Sequence, residues 1–307
     1  MHTKSEWSEF KEKMAEFIYK KVFVRDRMKE KQFKEICIMK TSVSLWSMQK
    51  LLFSQQITPI EAIEKIHEAG AEAVELLDCF SMKFPEVRAK IKALGLEVAS
   101  FSVANGFFCP PEELEKEIAL VKFGVDAAVY FDAKAVRVFI GWDSPDYDMD
   151  AMMKQAIEAF KECAAYAESR GVVLCLENHG KTAGKSEQVK TILDAVNSPS
   201  MKANTDTGNF LLVDEEPTEA ISNLAGNIGL VHFKDLVEVP EKMQYDAISG
   251  RHYKGTIIGE GEVDLKSIVQ ILKDSNYQGY LSIEYEGLEE DILDAVVKSV
   301  ENTKKAI

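Results

Sequence analysis

The chain has 307 residues, 46% hydrophobic and 29% charged, which excludes a disordered tract, a collagen or a coiled-coil rod and requires a substantial core in one large or two ordinary domains. A net charge of −14 has the wrong sign for neutralising phosphodiester backbones, so no nucleic-acid partner is expected. No apolar run is long enough to cross a bilayer and no leader pattern opens the chain, while five scattered cysteines form no C-x-x-C pair; the expectation is a cytoplasmic protein with reduced thiols and no membrane partner, compatible with a homo-oligomer.

The first forty residues stand apart, with 11 Lys or Arg against 7 Asp or Glu in an otherwise acidic chain. Trp7, Phe10, Met14, Phe17, Ile18 and Val22 recur at three- and four-residue steps, predicting a helix with one apolar face from Ser5 to Val22. Residues 1–37 are therefore read as a helical N-terminal extension and 38–307 as the catalytic domain. Beyond Cys37, short apolar runs alternate with longer amphipathic ones. Strands are predicted near Ile38–Leu45, Ala73–Leu77, Glu97–Val103, Ala135–Ile140, Val172–Leu176, Met201–Thr205, Gly229–Val231 and Tyr280–Ile283. Helical patterns lie between them, as at Pro59–Ala69, Glu113–Phe131, Met149–Ser169 and Leu265–Ser275, several ending at a glycine such as Gly70, Gly95 or Gly171. Eight strand–helix units demand parallel strands joined by right-handed crossovers, and a run such as Val172–Leu176 is apolar on both faces, as a sheet covered on both sides requires. A closed (β/α)8 TIM barrel fits this length. An open doubly wound sheet would need a glycine-rich turn after the first strand, where Ser44–Gln49 has no glycine. Strand six is the least regular, because Lys202 and Asn204 interrupt it.

In such a barrel the carboxyl ends of the strands converge on one face. Strand five ends in Leu176-Glu177-Asn178-His179, strand six in Asp206-Thr207-Gly208-Asn209, strand seven in His232-Phe233-Lys234-Asp235 and strand eight in Ile283-Glu284-Tyr285-Glu286. Glu177, Asp206, His232 and Glu284 thus reach equivalent heights. Three carboxylates and an imidazole in a barrel mouth repel one another and resist desolvation unless a divalent cation neutralises them. Oxygen-rich ligation with one nitrogen suits Mn²⁺ or Mg²⁺, with Co²⁺ or Zn²⁺ tolerated.

These stretches, together with Gly259-Glu260-Gly261-Glu262-Val263-Asp264 and Gly279-Tyr280-Leu281-Ser282-Ile283-Glu284, resemble the xylose isomerase-like TIM-barrel superfamily from about Lys40 to Lys298, its sugar phosphate isomerase/epimerase branch most closely. The resemblance implies one divalent metal held by Glu177, Asp206, His232 and Glu284, and a carbohydrate substrate. One position departs: ketose 3-epimerases of the superfamily place a substrate-binding histidine where this chain has Asn209.

The chemistry expected is removal of a proton next to a carbonyl, with Glu177 and Glu284, three strands apart in a ring of eight, flanking the substrate. Return of the proton gives an epimerase or an aldose–ketose isomerase; loss of water from the same enediolate gives a dehydratase of a cyclic polyol or keto acid. His179, Lys234, Glu75, Arg251 and Trp46 are candidate substrate contacts, Glu75 equally a structural partner of a cation. The connection Leu236–Glu262, with the basic run Arg251-His252-Tyr253-Lys254, reads as a lid or as a solvated loop. A metal-free glycosidase is disfavoured because strand four ends in Gly141-Trp142, a three-metal DNA-repair enzyme because histidines are too few, and a non-catalytic sugar-binding barrel remains the alternative of a different class.

Overall fold

A computed structural model describes residues 39–307; the helix expected over Ser5–Val22 lies outside them. Eight parallel strands close into a barrel in the order β1 (Lys40–Ser44), β2 (Ala73–Leu77), β3 (Glu97–Ser102), β4 (Ala135–Val138), β5 (Val173–Glu177), β6 (Met201–Asp206), β7 (Ile228–Phe233) and β11 (Tyr280–Ile283), which pairs back to β1. The intervening β8 (Leu236–Val239), β9 (Tyr245–Asp246) and β10 (His252–Gly255) belong to a separate antiparallel sheet. The chain therefore forms the (β/α)8 barrel that its alternation predicts.

Helices Pro59–Glu68, Phe84–Leu94, Pro111–Phe131, Met149–Arg170, Ser186–Val196, Pro217–Leu224, Leu265–Asp274 and Ile292–Ala306 follow the strands. Their ends obey local chemistry. Thr58 and Glu61 form a reciprocal capping box ahead of Pro59, and the helices 84–94 and 149–170 stop at Gly95 and Gly171 with φ of 71° and 66°, which a residue with a Cβ adopts at a cost. Strand bounds shift for tertiary reasons. β7 runs on past Val231 because His232 and Phe233 stay in register with Ser282 and Ile283 of β11. β4 stops at Val138, and Phe139 bonds instead to the Asn105 side chain. In β6 the two polar interruptions lie on the same side of the strand at different heights: Lys202, opposite Cys175, is half-buried, while Asn204, opposite Glu177, is wholly buried and donates to its carboxylate.

The long connection after β7 is neither bare lid nor solvated loop. β8 and β9 both pair antiparallel with β10, and Gly255 bridges to Gly287 just beyond β11. A Cβ on Gly255 would lie 2.4 Å from the Glu286 carbonyl oxygen, so only glycine lets this sheet settle onto the barrel mouth. Its return path is tied by Asp235, whose carboxylate accepts the N–H groups of Gly259, Gly261 and Val263 at 2.9 to 3.1 Å.

Candidate metal centre

Glu177 is the last residue of β5, Asp206 the last of β6, His232 lies in β7, and Glu284 directly follows β11. One ligand atom from each lies within 4.8 Å of the others, so barrel tilt brings together side chains from four different strands. The turns after the strands aim them. Asn178 donates to the Asp206 carbonyl at 3.0 Å and accepts from the Asp206 N–H at 2.6 Å, clamping the ends of β5 and β6. The Asp206-Thr207-Gly208-Asn209 turn fixes the aspartate: Oδ1 accepts the Asn209 N–H at 3.0 Å, while Oδ2 is buried without a hydrogen-bond partner. His232 Nε2 faces the Glu75 carboxylate at 3.0 and 3.1 Å, so an Nε2–H donated there leaves Nδ1 as the ligand. Nδ1 and Glu284 Oε2 are also buried and lack hydrogen-bond partners, although they approach to 2.5 Å. Three orphaned atoms of ligating type, from three residues, are what a bound divalent cation would satisfy; the donor set fits the metal that the sequence implies.

The electrostatics agree. Burial pushes the Glu177 carboxyl up to about 7 against the pull of Arg137, and Asp206 up to about 8 against that of Lys234. Burial also opposes ionised Glu284, yet His232 brings it down to about 2, and Glu75 and Glu284 together keep His232 well above its ordinary value despite burial. In the absence of a dication the cluster is balanced only by holding protons.

Of the secondary candidates, Glu75 is completely buried beneath His232, accepting also from Ser102 at 2.6 Å and Ser282 at 2.7 Å; it supports a ligand and faces no open space. Lys234 stands beside the centre, 3.8 Å from Asp206 Oδ2 and 2.9 Å from Glu286 Oε2, over the Tyr245 ring. Trp46 donates Nε1–H to Glu286 at 2.5 Å. His179 packs against Phe139 and Trp142, and burial holds its imidazole down at about 4, in the neutral form at pH 7. Arg251 is turned to Asp214 at 2.8 Å and Glu238 at 3.7 Å, not toward the four ligands.

Sequence reasoning missed Arg137, Glu286 and Tyr245. Arg137 is 5% exposed, inside β4, with Nε 3.2 Å from Glu177 Oε2. A lone arginine in the apolar run Ala135–Ile140 was its signal, since a buried guanidinium must find a carboxylate. Tyr245 donates its hydroxyl to Glu286, tying the small sheet to the mouth, a contact between distant segments that no local pattern announces.

A family model described as "Xylose isomerase-like TIM barrel" matches residues 63–306. An inosose dehydratase of Clostridium perfringens is 23% identical over 231 residues, covering 66% of this chain and 75% of that enzyme. Among solved structures, a D-allulose 3-epimerase from Methylomonas sp. superposes with a TM-score of 0.70 at 15% identity, covering 88% of this chain and 98% of that one. A 3-keto-D-glucoside 4-epimerase from E. coli gives 0.69 at 17%, covering 87% and 100%. At these identities the structural likeness establishes the fold.

Proposed function

From membership of the xylose isomerase-like TIM-barrel family, to which this chain belongs, we propose that it is a divalent-metal-dependent enzyme that moves a proton at the carbon beside a carbonyl of a sugar or related keto-polyol, as an isomerase or epimerase. The observation that carries this is the convergence of Glu177, Asp206, His232 and Glu284 ligand atoms within 4.8 Å. A cation held there supplies positive charge where the carbonyl oxygen becomes an enediolate oxygen, lowering the barrier to C–H cleavage. Glu177 and Glu284 are the carboxylates placed to exchange the proton, and Glu75 keeps His232 in the ligating tautomer. Trp142 and Phe139, beside His179, offer aromatic faces to a sugar ring. The small sheet seated through Tyr245 and Gly255 narrows access by water.

Three cations that are candidate substrate contacts or lie beside the four groups are already paired: Lys234 with Glu286, Arg137 with Glu177, and Arg251 with Asp214 and Glu238. This favours an uncharged substrate over a phosphorylated one. A second reading, a dehydratase on the same site, is favoured by the likeness to inosose dehydratases, and β-elimination begins with the same proton removal. The test is incubation with Mn²⁺ and a set of ketoses, keto-inositols and sugar phosphates in D₂O, followed by NMR for deuterium next to the carbonyl and for alkene-derived products. Labelling without water loss supports the isomerase or epimerase, water loss the dehydratase, and Glu284→Gln should abolish both while leaving the fold intact. Undiminished labelling in that variant would contradict the assignment.

A further inference from the structure

The two glutamates flanking the centre are unequal. Glu177 Oε2 lies 3.2 Å from Arg137 Nε and accepts from Asn204 Nδ2 at 3.2 Å, and Oε1 accepts from Asn209 Nδ2 at 3.3 Å. Two amide hydrogen bonds and the ion pair with Arg137 thus engage both oxygens of this carboxylate. The partners are themselves fixed. Arg137 Nη1–H donates to the Val103 carbonyl at 3.0 Å, and its guanidinium carbon lies 4.0 Å from the Phe139 ring centroid. Asn209 also reaches the Asn178 carbonyl at 3.1 Å. Among the described residues Glu284 has nothing comparable: its one close charged contact is with His232 Nδ1, and Oε2 is without a hydrogen-bond partner.

We propose that Arg137 is a positioning residue: with Asn204 and Asn209 it locks Glu177 in one orientation as a ligand, leaving Glu284 as the carboxylate that takes the proton. This rests on the reading above and says which of the two acidic groups does which task. Arginine suits the position for two reasons. Its planar guanidinium donates to Val103 and stacks on Phe139 while holding its charge 3.2 Å from Glu177, a combination a lysine ammonium does not reproduce. The buried guanidinium also places a positive charge beside a centre rich in carboxylates. A geometry in which one carboxylate is immobilised and the other is open matches a reaction that removes the proton from one face of the substrate.

The test uses the full chain and Mn²⁺ itself as probe, with affinity from titration calorimetry and coordination from the electron paramagnetic resonance line shape of the bound ion. Arg137→Gln is expected to weaken Mn²⁺ binding about 10- to 100-fold and to broaden the spectrum, as loss of the partner of a metal ligand does. Arg137→Lys keeps the charge and loses the planar guanidinium; it should stay well below wild-type affinity, and it decides the matter if the glutamine variant fails to fold by circular dichroism. Wild-type affinity and line shape in a folded Arg137→Lys would mean that charge alone suffices and would overturn the positioning role. At saturating Mn²⁺, Glu177→Gln should keep measurable deuterium labelling of whichever ketose the wild type labels, and Glu284→Gln none; equal loss in both overturns the division of labour. A wild-type protein that binds no Mn²⁺ sinks the metal reading and this one with it, whereas wild-type binding with unaffected Arg137 variants sinks this one alone.

Discussion

The barrel is built of two halves that do different work at the same mouth. β5, β6, β7 and β11 present the four groups that converge, along with supports such as Asn204 and Ser282, whereas β1 to β4 contribute supports and none of the four: Glu75 beneath His232, Ser102 on Glu75, Arg137 against Glu177, and Trp46, just past β1, on Glu286. A ligand must sit at a strand end and in the inward register, so its position along the chain is constrained to a residue. A supporter need only reach a ligand, and arises at any height in the wall. Orphaned atoms of ligating type mark the first half, since Asp206 Oδ2, His232 Nδ1 and Glu284 Oε2 lack partners, while the carboxylate of Glu75 in the second half is fully engaged.

The comparison breaks first if the ligand half holds no metal. Mn²⁺ at a thousandfold excess over its dissociation constant should stabilise the folded state by about 4 kcal/mol, read as a rise in urea or thermal midpoint that a chelator reverses. Asp206→Asn should show the same midpoint with and without Mn²⁺. A midpoint that ignores Mn²⁺ in the wild type would reduce the four residues to an acidic cluster.

The supporting half is tested by Glu75→Gln. The amide keeps the size and one acceptor oxygen but loses the charge that fixes His232, so Mn²⁺ affinity should fall about 10- to 100-fold with the fold retained. Unchanged affinity would show that β2 carries a structural pair and that the centre depends on its ligands alone.

The same division explains what the sequence made legible. Eight apolar runs and glycine-terminated helices predict the barrel because strand and helix periods are local properties. The four converging groups were legible because each falls at the end of a run, where the closing of the barrel leaves a side chain only the mouth to occupy. Asn204 was in view as a polar break in strand six, and Arg137 passed unremarked inside strand four, because a break reads as an irregularity until the neighbouring strand is known: Glu177 lies opposite Asn204 in the β5–β6 register. Arg251 drew attention as part of a basic run, yet Asp214 and Glu238, distant from it in sequence, occupy its guanidinium. The small sheet was illegible as a sheet because β9 is two residues long and carries no strand period of its own.

The smallest expected effect lies where the two halves are joined. Glu286 follows β11, on the ligand side, and gathers Trp46 Nε1–H from the first loop, Lys234 from the turn after β7 and the Tyr245 hydroxyl from the small sheet. Tyr245→Phe removes one of these three. Trp46 and Lys234 still neutralise and orient the carboxylate, the Lys234 ammonium keeps a ring 5.3 Å away, and Gly255 keeps its bridge to Gly287, so the barrel itself should not notice. What is lost is one hydrogen bond to a charged group, on the order of 1.5 kcal/mol or about tenfold in a local opening equilibrium, together with the bond the hydroxyl accepts from Gln244 Nε2, whose amide keeps the Glu286 carbonyl at 2.9 Å. Amide exchange followed by mass spectrometry should therefore speed about tenfold across residues 236–255 and stay unchanged in β5 and β6, with Mn²⁺ affinity preserved because no ligand touches Tyr245. Exchange that accelerates throughout the barrel would mean that the small sheet is part of the core; exchange that accelerates nowhere would mean that Gly255 and the glycine turns tied by Asp235 hold it without Tyr245, and that Glu286 serves Lys234 and Trp46 alone.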